Sequence, residues 1–397
     1  MSNRTSTDYE IKVFRTRDEI LAAVDLFLPF QRHPNADIEL YLSRFDDPPG
    51  YARPCAIMVT REGQAAAVLL GICHPLPFEL GIGFKTLLSP KVRMMTIPAG
   101  AIQGAETRNA AEALMGALLT LLREREIDTI RIFDVDDDSA VAAAARRCPA
   151  FFCRDYAPWA GLHFGLTVPE STDVFYSRLK RRHRNPLRKA VRLLDQDEPG
   201  ELSCRVFTRL DEVDEFAIQA EEIARLTFQR RLGASFGDTP ASRRWLRILA
   251  ERRLWRGYVL SARNQPCAYY LGWLYGDMFY LYSAGRDPSV QDFNPGTGTI
   301  LMARLLEDVC LHTDAREVDF GPGDYPYKRR FCDTTRPTVT LLIFAPTPRA
   351  IALNAVRTAL SLAQRSVSAL LGWLGLRDRV KRHLRNRLTQ DGAQDSE

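Results

Sequence analysis

The stretch NPGTGTILMARLLEDVCLHTDAREVDFGPGDYPYKRRF, from Asn294 to Phe331, carries the strongest structural signal in this sequence of 397 residues. A turn at Pro295 and Gly296 precedes apolar residues at helical spacing, which predicts a helix over about 296–312. A short apolar run then predicts a strand at 317–320, and the glycines and prolines after it mark a tight turn. The stretch therefore predicts a helix, a strand and a loop rich in charged and aromatic residues.

The same patterns occur twice along the chain, in the same order. VFRTRDEI, from Val13, returns as VFTRLDEV from Val206, and AIMVTREGQAAAVLLGI, from Ala56, has the strand, turn and strand pattern of GYVLSARNQPCAYYLGW from Gly257. NAAEALMGALLTLLREREIDTIRIFD, from Asn109, matches the helix and strand of the stretch above. A repeat in fixed order predicts two α/β (α+β) domains, each a mixed, mostly antiparallel sheet flanked by helices.

The repeat divides the chain into domains at 1–160 and 174–345, followed by a basic amphipathic helical tail at 346–397. The segment 155–173 is expected to be a linker. In the second domain, the pattern predicts further strands at 203–208, 257–262, 266–274, 278–283 and 338–344, and helices at 213–229 and 241–252.

The charge and hydropathy patterns narrow the class of protein. The net charge is +5, but nine basic and four acidic residues lie from Pro346 onward, so the rest of the chain is neutral. A neutral globular part argues against DNA as a partner. The longest uncharged stretch, Gly63 to Phe78, is too short and too interrupted to span a membrane, and the N-terminus lacks a signal-like apolar region. We therefore expect a cytoplasmic protein.

Eight cysteines and six histidines are scattered along the sequence without the spacing of a metal site. Most of the cysteines lie in apolar runs, as is typical of reduced core cysteines. The acidic cluster at 134–138 is expected to be a loop. We predict no metal.

The string DFGPGDYPYKRRF, together with SRLKRRHRNPLRKAVRLL from Ser177 and NPGTGTILMARLLEDV from Asn294, resembles the GNAT-type acetyltransferase domain of the CelD-like (cellulose and exopolysaccharide biosynthesis) and FemAB-like group. This resemblance implies tandem GNAT-like domains, of which the second is catalytic. The first copy has AIQGAE before its helix and lacks the paired glycines. The first copy is therefore expected to be degenerate.

The resemblance implies an acyl-CoA donor bound at the start of the predicted helix. Bare N–H groups and the helix dipole at such a start suit a pyrophosphate. The expected donor contacts are Gly296, Thr297, Gly298, Thr299 and Ser283, with the two threonines able to cap the helix. The alternative is that Pro295 and Gly296 only form a turn. The chain also has Phe293 three residues before Gly296, where these domains usually place Arg or Gln.

The loop after the 317–320 strand supplies the expected catalytic residues. Acyl transfer needs a general acid for the departing thiolate. A tyrosine, whose reference pKa of about 10 lies above the ~8.5 of a thiol, is still protonated at neutral pH and can fill that role. Tyr327 is the predicted acid, Asp324 or Asp319 the predicted base, and Lys328 a predicted contact to an anionic group. Alternatively, Asp324 only caps the turn.

A basic run from Arg178 to Arg192 contains eight Lys or Arg and no acid. Such a run binds anions such as a phosphate-bearing donor, a nucleotide-linked or lipid-linked sugar or tRNA, or it is a solvated helix face. Arg181 and Arg184 from this run, with Arg230 and Tyr282, are the remaining predicted substrate contacts. Aromatic residues crowd the strands around Tyr282, where they pack in the core or line a sugar or acyl pocket.

The expected function is transfer of an acyl group, acetyl above all, from acyl-CoA to an amine or hydroxyl of a sugar or cell-envelope precursor. The alternatives are a Fem-type transferase that uses aminoacyl-tRNA, and a non-catalytic binding protein on the membrane. The tail either packs on the protein or makes a peripheral contact with the inner face of the membrane.

Overall fold

The structure, a computed structural model, describes residues 9–46, 52–82, 85–194, 201–227, 230 and 235–373. The chain forms two compact units. The first contains the residues up to Ala160 together with those from Pro337, and the second runs from Gly161 to Arg336.

Up to residue 160, the chain folds into short helices and strands around one longer helix. The elements are β1 (Tyr9–Phe14), α1 (Arg17–Leu21), α2 (Val24–Phe27), α3 (Ile38–Leu42), β2 (Arg53–Arg61), β3 (Gln64–Pro77), β4 (Leu80–Ile82), β5 (Lys85–Leu88), β6 (Lys91–Ile97), β7 (Ile102–Gln103), α4 (Arg108–Arg123), β8 (Thr129–Asp136) and α5 (Ala140–Arg147).

The remaining described residues form the second set of elements. They are β9 (Trp159–Thr167), α6 (Thr172–Arg178), α7 (Arg181–Leu194), β10 (Leu202–Phe207), α8 (Val213–Arg225), α9 (Pro240–Glu251), β11 (Trp255–Ala262), β12 (Gln265–Tyr275), β13 (Met278–Arg286), α10 (Thr297–His312), β14 (Glu317–Pro322), α11 (Pro326–Phe331), β15 (Thr334–Phe344) and α12 (Pro348–Trp373).

The sheet of the first unit has the strand order β1-β2-β3-β6-β8-β15. Its neighbours pair antiparallel, except that β6 and β8 are parallel. The parallel pair is joined through α4, because parallel strands need a crossover connection. The apolar face of α4, with Leu114, Leu118 and Leu122, is buried in the core of this unit.

The sheet of the second unit repeats this pattern in the order β10-β11-β12-β13-β14-β9. Again one pair, β13 with β14, is parallel, and its connection is the helix α10. The other neighbours are antiparallel. The predicted repeat and the predicted architecture, two mixed, mostly antiparallel sheets flanked by helices, are therefore confirmed.

Helices cover both faces of the second sheet. On one face, Leu187 and Val191 of α7 share a core with Ile300 and Leu301 of α10. On the other face, α8 packs so closely that a Cβ on Gly257 of β11 would lie 2.6 Å from the Phe216 ring. A side chain at position 257 would displace that ring, which explains why a glycine stands inside a buried strand.

The boundaries of the units differ from those expected from the sequence. The expected linker at 155–173 is wrong for Trp159–Thr167, which is the strand β9 and pairs with β14. The strand β15, expected in the second domain, pairs from Thr338 onward with β8 in the first unit. In each unit the last strand of the sheet thus comes from a distant part of the sequence.

The described part of the predicted tail, α12, belongs to the first unit and packs against it. Asn354, which is buried, donates through Nδ2 to the carbonyls of Phe152 (3.1 Å) and Arg154 (2.8 Å). Arg357 forms an ion pair with the buried Asp155. The part of the predicted tail from residue 374 onward lies outside the described residues.

Three predictions concern features of the whole chain. All eight cysteines lie among the described residues and are free thiols. In the described ranges, no three His, Cys, Asp or Glu side chains form a group able to hold a metal ion. Among the described helices, none has the length and apolar character needed to cross a membrane.

Candidate active site

The parallel strands β13 and β14 of the second unit diverge soon after they begin. They pair at three positions, the last joining Tyr280 to Asp319, although β13 continues to Arg286 and β14 to Pro322. In the first unit, β6 stays paired with β8 as far as Ile97, where β6 ends. Divergence leaves backbone N–H and C=O groups beyond Tyr280 facing a gap, where an extended ligand can pair with them.

The helix α10 begins beside this gap without a side-chain cap. Its N-cap is Gly296, and the Thr299 N–H bonds back to the Gly296 carbonyl (2.8 Å). The predicted capping by Thr297 and Thr299 is wrong, because both residues already lie inside the first turn. In the first unit, by contrast, the Thr107 hydroxyl caps α4 by accepting from the Ala110 N–H.

The uncapped start of α10 leaves the positive end of a sixteen-residue helix open. Thr297 is fully buried, and its hydroxyl has no hydrogen-bond partner in the part of the chain that the structure describes. Gly298, one residue further, keeps the backbone bare. The Gly298 carbonyl accepts from the Tyr270 hydroxyl (3.1 Å), a contact that sequence reasoning did not find.

Cationic side chains surround the start of α10. A Cβ built on Gly298 would lie 3.4 Å from Arg286 Cδ, so the Arg286 side chain lies beside this glycine. Arg330 donates through Nη1 to the Thr299 hydroxyl (3.4 Å). The sequence does not predict either arginine as a contact. Arg286 ends β13 and Arg330 lies in α11, and only the fold brings these two elements to the start of α10.

The basic run lies against the same region. The pKa of His183, near the start of α7, is lowered by the loss of hydration and by the charges of Arg330, Arg182 and Lys180. Arg330 therefore lies close enough to α7 to repel a charge on that histidine. The predicted contacts Arg181 and Arg184 lie in the same part of α7, the first exposed and the second half-buried. The geometry thus brings the basic run and the glycine-rich helix start together.

The turn after β14 is held by a buried lysine. Gly321 and Gly323 have positive φ values of 69° and 101°, which favour glycine. Lys328, only 3% exposed, donates through Nζ to the carbonyls of Gly321 (2.9 Å) and Pro322 (2.7 Å). Lys328, the predicted contact to an anionic group, thus holds this turn through its ammonium group.

Tyr327 lies in α11, which begins directly after this turn. Burial, with a smaller contribution from Tyr325, raises the pKa of Tyr327 well above its ordinary value. Its hydroxyl therefore stays protonated at neutral pH, as a general acid requires. Tyr327 also adds to the rise in the pKa of Tyr270, which places Tyr327 near the residue that contacts Gly298.

The two predicted bases have different surroundings. Asp324 is exposed, and its ion pair with Arg329 lowers its pKa, which weakens it as a base. Asp319 lies at the point where β13 and β14 diverge and accepts from the Gly321 N–H (2.6 Å). Its carboxylate is also 2.7 Å from Nε2 of the buried His163 on β9, a partner that the sequence did not reveal.

The remaining predicted contacts are engaged within the protein in different ways. The Ser283 side chain is buried, and its hydroxyl bonds to the Tyr269 hydroxyl (3.0 Å). Arg230 holds the buried Glu221 and the Phe236 carbonyl. Tyr282 is 60% exposed and packs on Trp273, with ring centroids 4.6 Å apart.

Comparison with known proteins finds one family profile and several solved structures that are similar to this chain. Residues 181–329 match the profile of the acetyltransferase (GNAT) domain family. FemX shares 13% identity with this chain at a TM-score of 0.55, over 87% of this chain and 100% of FemX. A tandem GNAT protein from the clavulanic acid biosynthesis pathway shares 14% identity at a TM-score of 0.47, over 85% and 99% of the two chains. L-PGS from Bacillus licheniformis shares 10% identity at a TM-score of 0.46, over 85% and 96%. No curated protein matches the sequence.

The fold and the profile match together define the class of protein. The likeness to FemX shows the fold of the chain, and the profile match covers α7 to α11 of the second unit. The second unit therefore contains a GNAT-type acetyltransferase domain, over residues 181–329 of the chain.

Proposed function

We propose that this protein transfers an acyl group, acetyl above all, from acyl-CoA to an amine or hydroxyl of a sugar or exopolysaccharide precursor of the cell envelope. The observation that carries the donor is the start of α10, where bare backbone and two arginines meet beside a gap in the sheet. A pyrophosphate suits such a helix start, since its charge complements the helix dipole and its oxygens accept from free N–H groups.

The gap between β13 and β14 suits the extended arm of the donor. An extended amide chain can hydrogen-bond to strand backbone as an added strand would. The carbonyl and N–H groups of β13 beyond Tyr280 are the partners available for this pairing. The donor would thus run from the helix start towards Tyr327 and Asp319.

Two groups near this path supply the proton transfers. The acceptor nitrogen or oxygen attacks the thioester carbon, and the pair His163–Asp319 takes the proton that the acceptor loses. The carbon–sulfur bond then breaks, and Tyr327 donates its proton to the departing thiolate. Burial raises the pKa of Tyr327, so the hydroxyl is fully protonated when the thiolate departs. Because this pKa lies above that of a thiol, the proton transfer is uphill, and it is completed as Tyr327 regains a proton from solvent.

The donor is tested by thermal unfolding of the full-length protein with CoA, acetyl-CoA and longer acyl-CoAs. A ligand at about 100 times its dissociation constant stabilises the folded state by about 2.7 kcal/mol. We expect a clear rise in the melting temperature. No rise with any CoA would overturn the proposed donor.

The acid is tested with Tyr327→Phe, and the neighbouring Tyr325→Phe serves as a matched control because that ring is 44% exposed. We expect Tyr327→Phe to keep the CoA-induced rise in melting temperature and to lose turnover by about 10²-fold or more. Tyr325→Phe should keep both. Full turnover of a folded Tyr327→Phe variant would refute the assignment.

A second candidate is a Fem-type transfer from aminoacyl-tRNA. The observation that favours it is the basic helix α7 near the start of α10, since phosphates of RNA also bind dense positive charge. Purification in low salt distinguishes the two donors. Co-purifying tRNA without a CoA effect would favour this second candidate.

A further inference from the structure

A cavity of about 700 Å³ lies in the second unit between α7, the start of β10 and the segment that leads into α10. Its volume falls in the range of about 300–1,000 Å³ that is typical of small-molecule sites. Leu193, Phe293 and Ile300 contribute apolar walls, and Asn185, Lys189 and Glu201 contribute polar groups. Neither the predicted contacts nor the catalytic residues lie in this lining.

The cavity is continuous with the start of α10. Asn294, which also lines the cavity, stands two residues before Gly296, and Ile300 lies in the first turn of the helix. Its opposite wall is α7, whose first turn carries the basic residues near Arg330. A ligand with its phosphates at the helix start would therefore place the group attached to those phosphates at the cavity.

The chemistry of the walls favours a purine nucleoside as that group. An aromatic ring such as Phe293 stacks on a base, and the amide of Asn185 and the carboxylate of Glu201 suit the polar edge of a base or the hydroxyls of a ribose. Lys189 is exposed and suits a further phosphate. A long acyl chain would use the apolar walls and would leave these three polar groups unused.

We infer that this cavity binds the adenosine end of the donor, with Phe293 against the base and Lys189 towards the 3′-phosphate of CoA. The inference rests on the proposed acyl-CoA donor. Phe293, three residues before Gly296, gives the cavity an aromatic wall close to the helix start. The 3′-terminal adenosine of a tRNA offers the same base and ribose without the 3′-phosphate.

The inference is tested by calorimetric titration of the full-length protein with CoA, dephospho-CoA, adenosine 3′,5′-bisphosphate and 4′-phosphopantetheine. Phe293→Leu keeps an apolar side chain but removes the ring, and should weaken the three adenosine ligands about tenfold. It should leave 4′-phosphopantetheine unchanged. Lys189→Gln should weaken CoA and the bisphosphate about tenfold and leave dephospho-CoA unchanged.

Arg192→Gln is the matched control, since Arg192 is an exposed cation of the same helix that does not line the cavity. It should leave all four affinities within about twofold, because an exposed charge outside the site contributes little. Equal weakening of CoA by Lys189→Gln and Arg192→Gln would indicate general charge attraction and would overturn the role of Lys189. Loss of 4′-phosphopantetheine binding in Phe293→Leu would indicate a distorted helix start and would overturn the role of Phe293.

Failure of the cavity and failure of the donor give different results. If the wild-type protein binds 4′-phosphopantetheine as tightly as CoA and no variant changes either affinity, the cavity inference fails while the donor stands. If the wild-type protein binds no CoA fragment, the donor fails, and an aminoacylated tRNA minihelix becomes the probe. Weaker minihelix binding by Phe293→Leu would then retain the cavity as an adenosine site, and unchanged binding would exclude it.

Discussion

Lys328 is a cation of the DFGPGDYPYKRRF motif that stabilises a turn of its own chain. Its ammonium group is buried and donates to the carbonyls of Gly321 and Pro322, which fixes the turn before Tyr327. We predict that Lys328→Met destabilises the protein by about 1–3 kcal/mol, because it removes the donor of both carbonyls that fix the turn. Urea unfolding measures this change.

The neighbouring Arg329→Met variant provides the control for that measurement. Arg329 is 64% exposed and pairs with the exposed Asp324, so its removal should cost less than about 1 kcal/mol. Equal, small effects of the two variants would show that Lys328 does not hold the turn.

The protonation of Tyr327 predicts the alkaline side of the pH profile. Burial raises the pKa of Tyr327, so the hydroxyl keeps its proton at pH values where an ordinary tyrosine begins to ionise. We predict that kcat does not decline up to about pH 10, the reference pKa of tyrosine. The measurement is kcat against pH for the wild-type protein, Tyr325→Phe and Tyr327→Phe. A decline below that pH in the wild-type protein, absent from the residual activity of Tyr327→Phe, would contradict the shifted pKa.

At the scale of elements, a substitution of Gly298 should have opposite effects on the stability of α10 and on CoA binding. A Cβ at position 298 has ordinary contacts at 3.4 and 4.0 Å, and glycine inside a helix costs up to about 1 kcal/mol relative to alanine. We predict that Gly298→Ala raises the melting temperature of the free protein and weakens CoA binding, because the methyl group lies beside Arg286 at the helix start. Thermal unfolding and calorimetry measure the two effects.

Gly116→Ala is the control for this pair of effects. Gly116 lies inside α4 with open space around it, so alanine should stabilise the helix without any change in CoA affinity. If Gly298→Ala behaves in the same way, α10 does not carry the donor phosphates.

The elements themselves were largely predictable, because their signals are local. The periodicity around Ile300 and Leu301 and the strand patterns of Gly257 onward gave α10, β11 and β12 within a few residues. The capping of α10 was mispredicted because a shift of one residue decides whether Thr297 is a cap or part of the first turn. Propensity cannot fix a boundary that finely.

Contacts between distant residues account for what the sequence did not reveal. His163 and Asp319 are 156 positions apart, and β9 was mistaken for a linker because its pairing partner β14 lies far along the chain. Arg286 and Arg330 reach the start of α10 only through the ends of β13 and α11. Tyr327 and Gly298, by contrast, lie in local motifs, so the sequence alone can propose them as site residues.

At the scale of the whole molecule, the order of the chain differs from its division into units. The chain leaves the second unit after residue 336 and returns to the first. The strand β15 and the helix α12 follow the acetyltransferase domain in sequence, yet they complete the first unit. A sequence repeat shows which segments are alike, but it does not show which of the two sheets β15 joins. The expected independent tail therefore becomes, over its described part, a component of the first core.

The ion pair of α12 gives a test of that assignment. Asp155 is 2% exposed and receives hydrogen bonds from Arg357 (2.6 Å) and from the Leu342 N–H of β15 (3.0 Å). Arg357→Met leaves a buried carboxylate without its cation, so we predict a loss of about 3–5 kcal/mol in urea unfolding. Arg365→Met, which removes an exposed donor to the Pro158 carbonyl, should cost less than about 1 kcal/mol. Adding Asp155→Asn to Arg357→Met should recover part of the loss, since the unpaired charge is then gone. Equal costs for the two arginine variants would mean that α12 rests on the first unit without contributing to its stability.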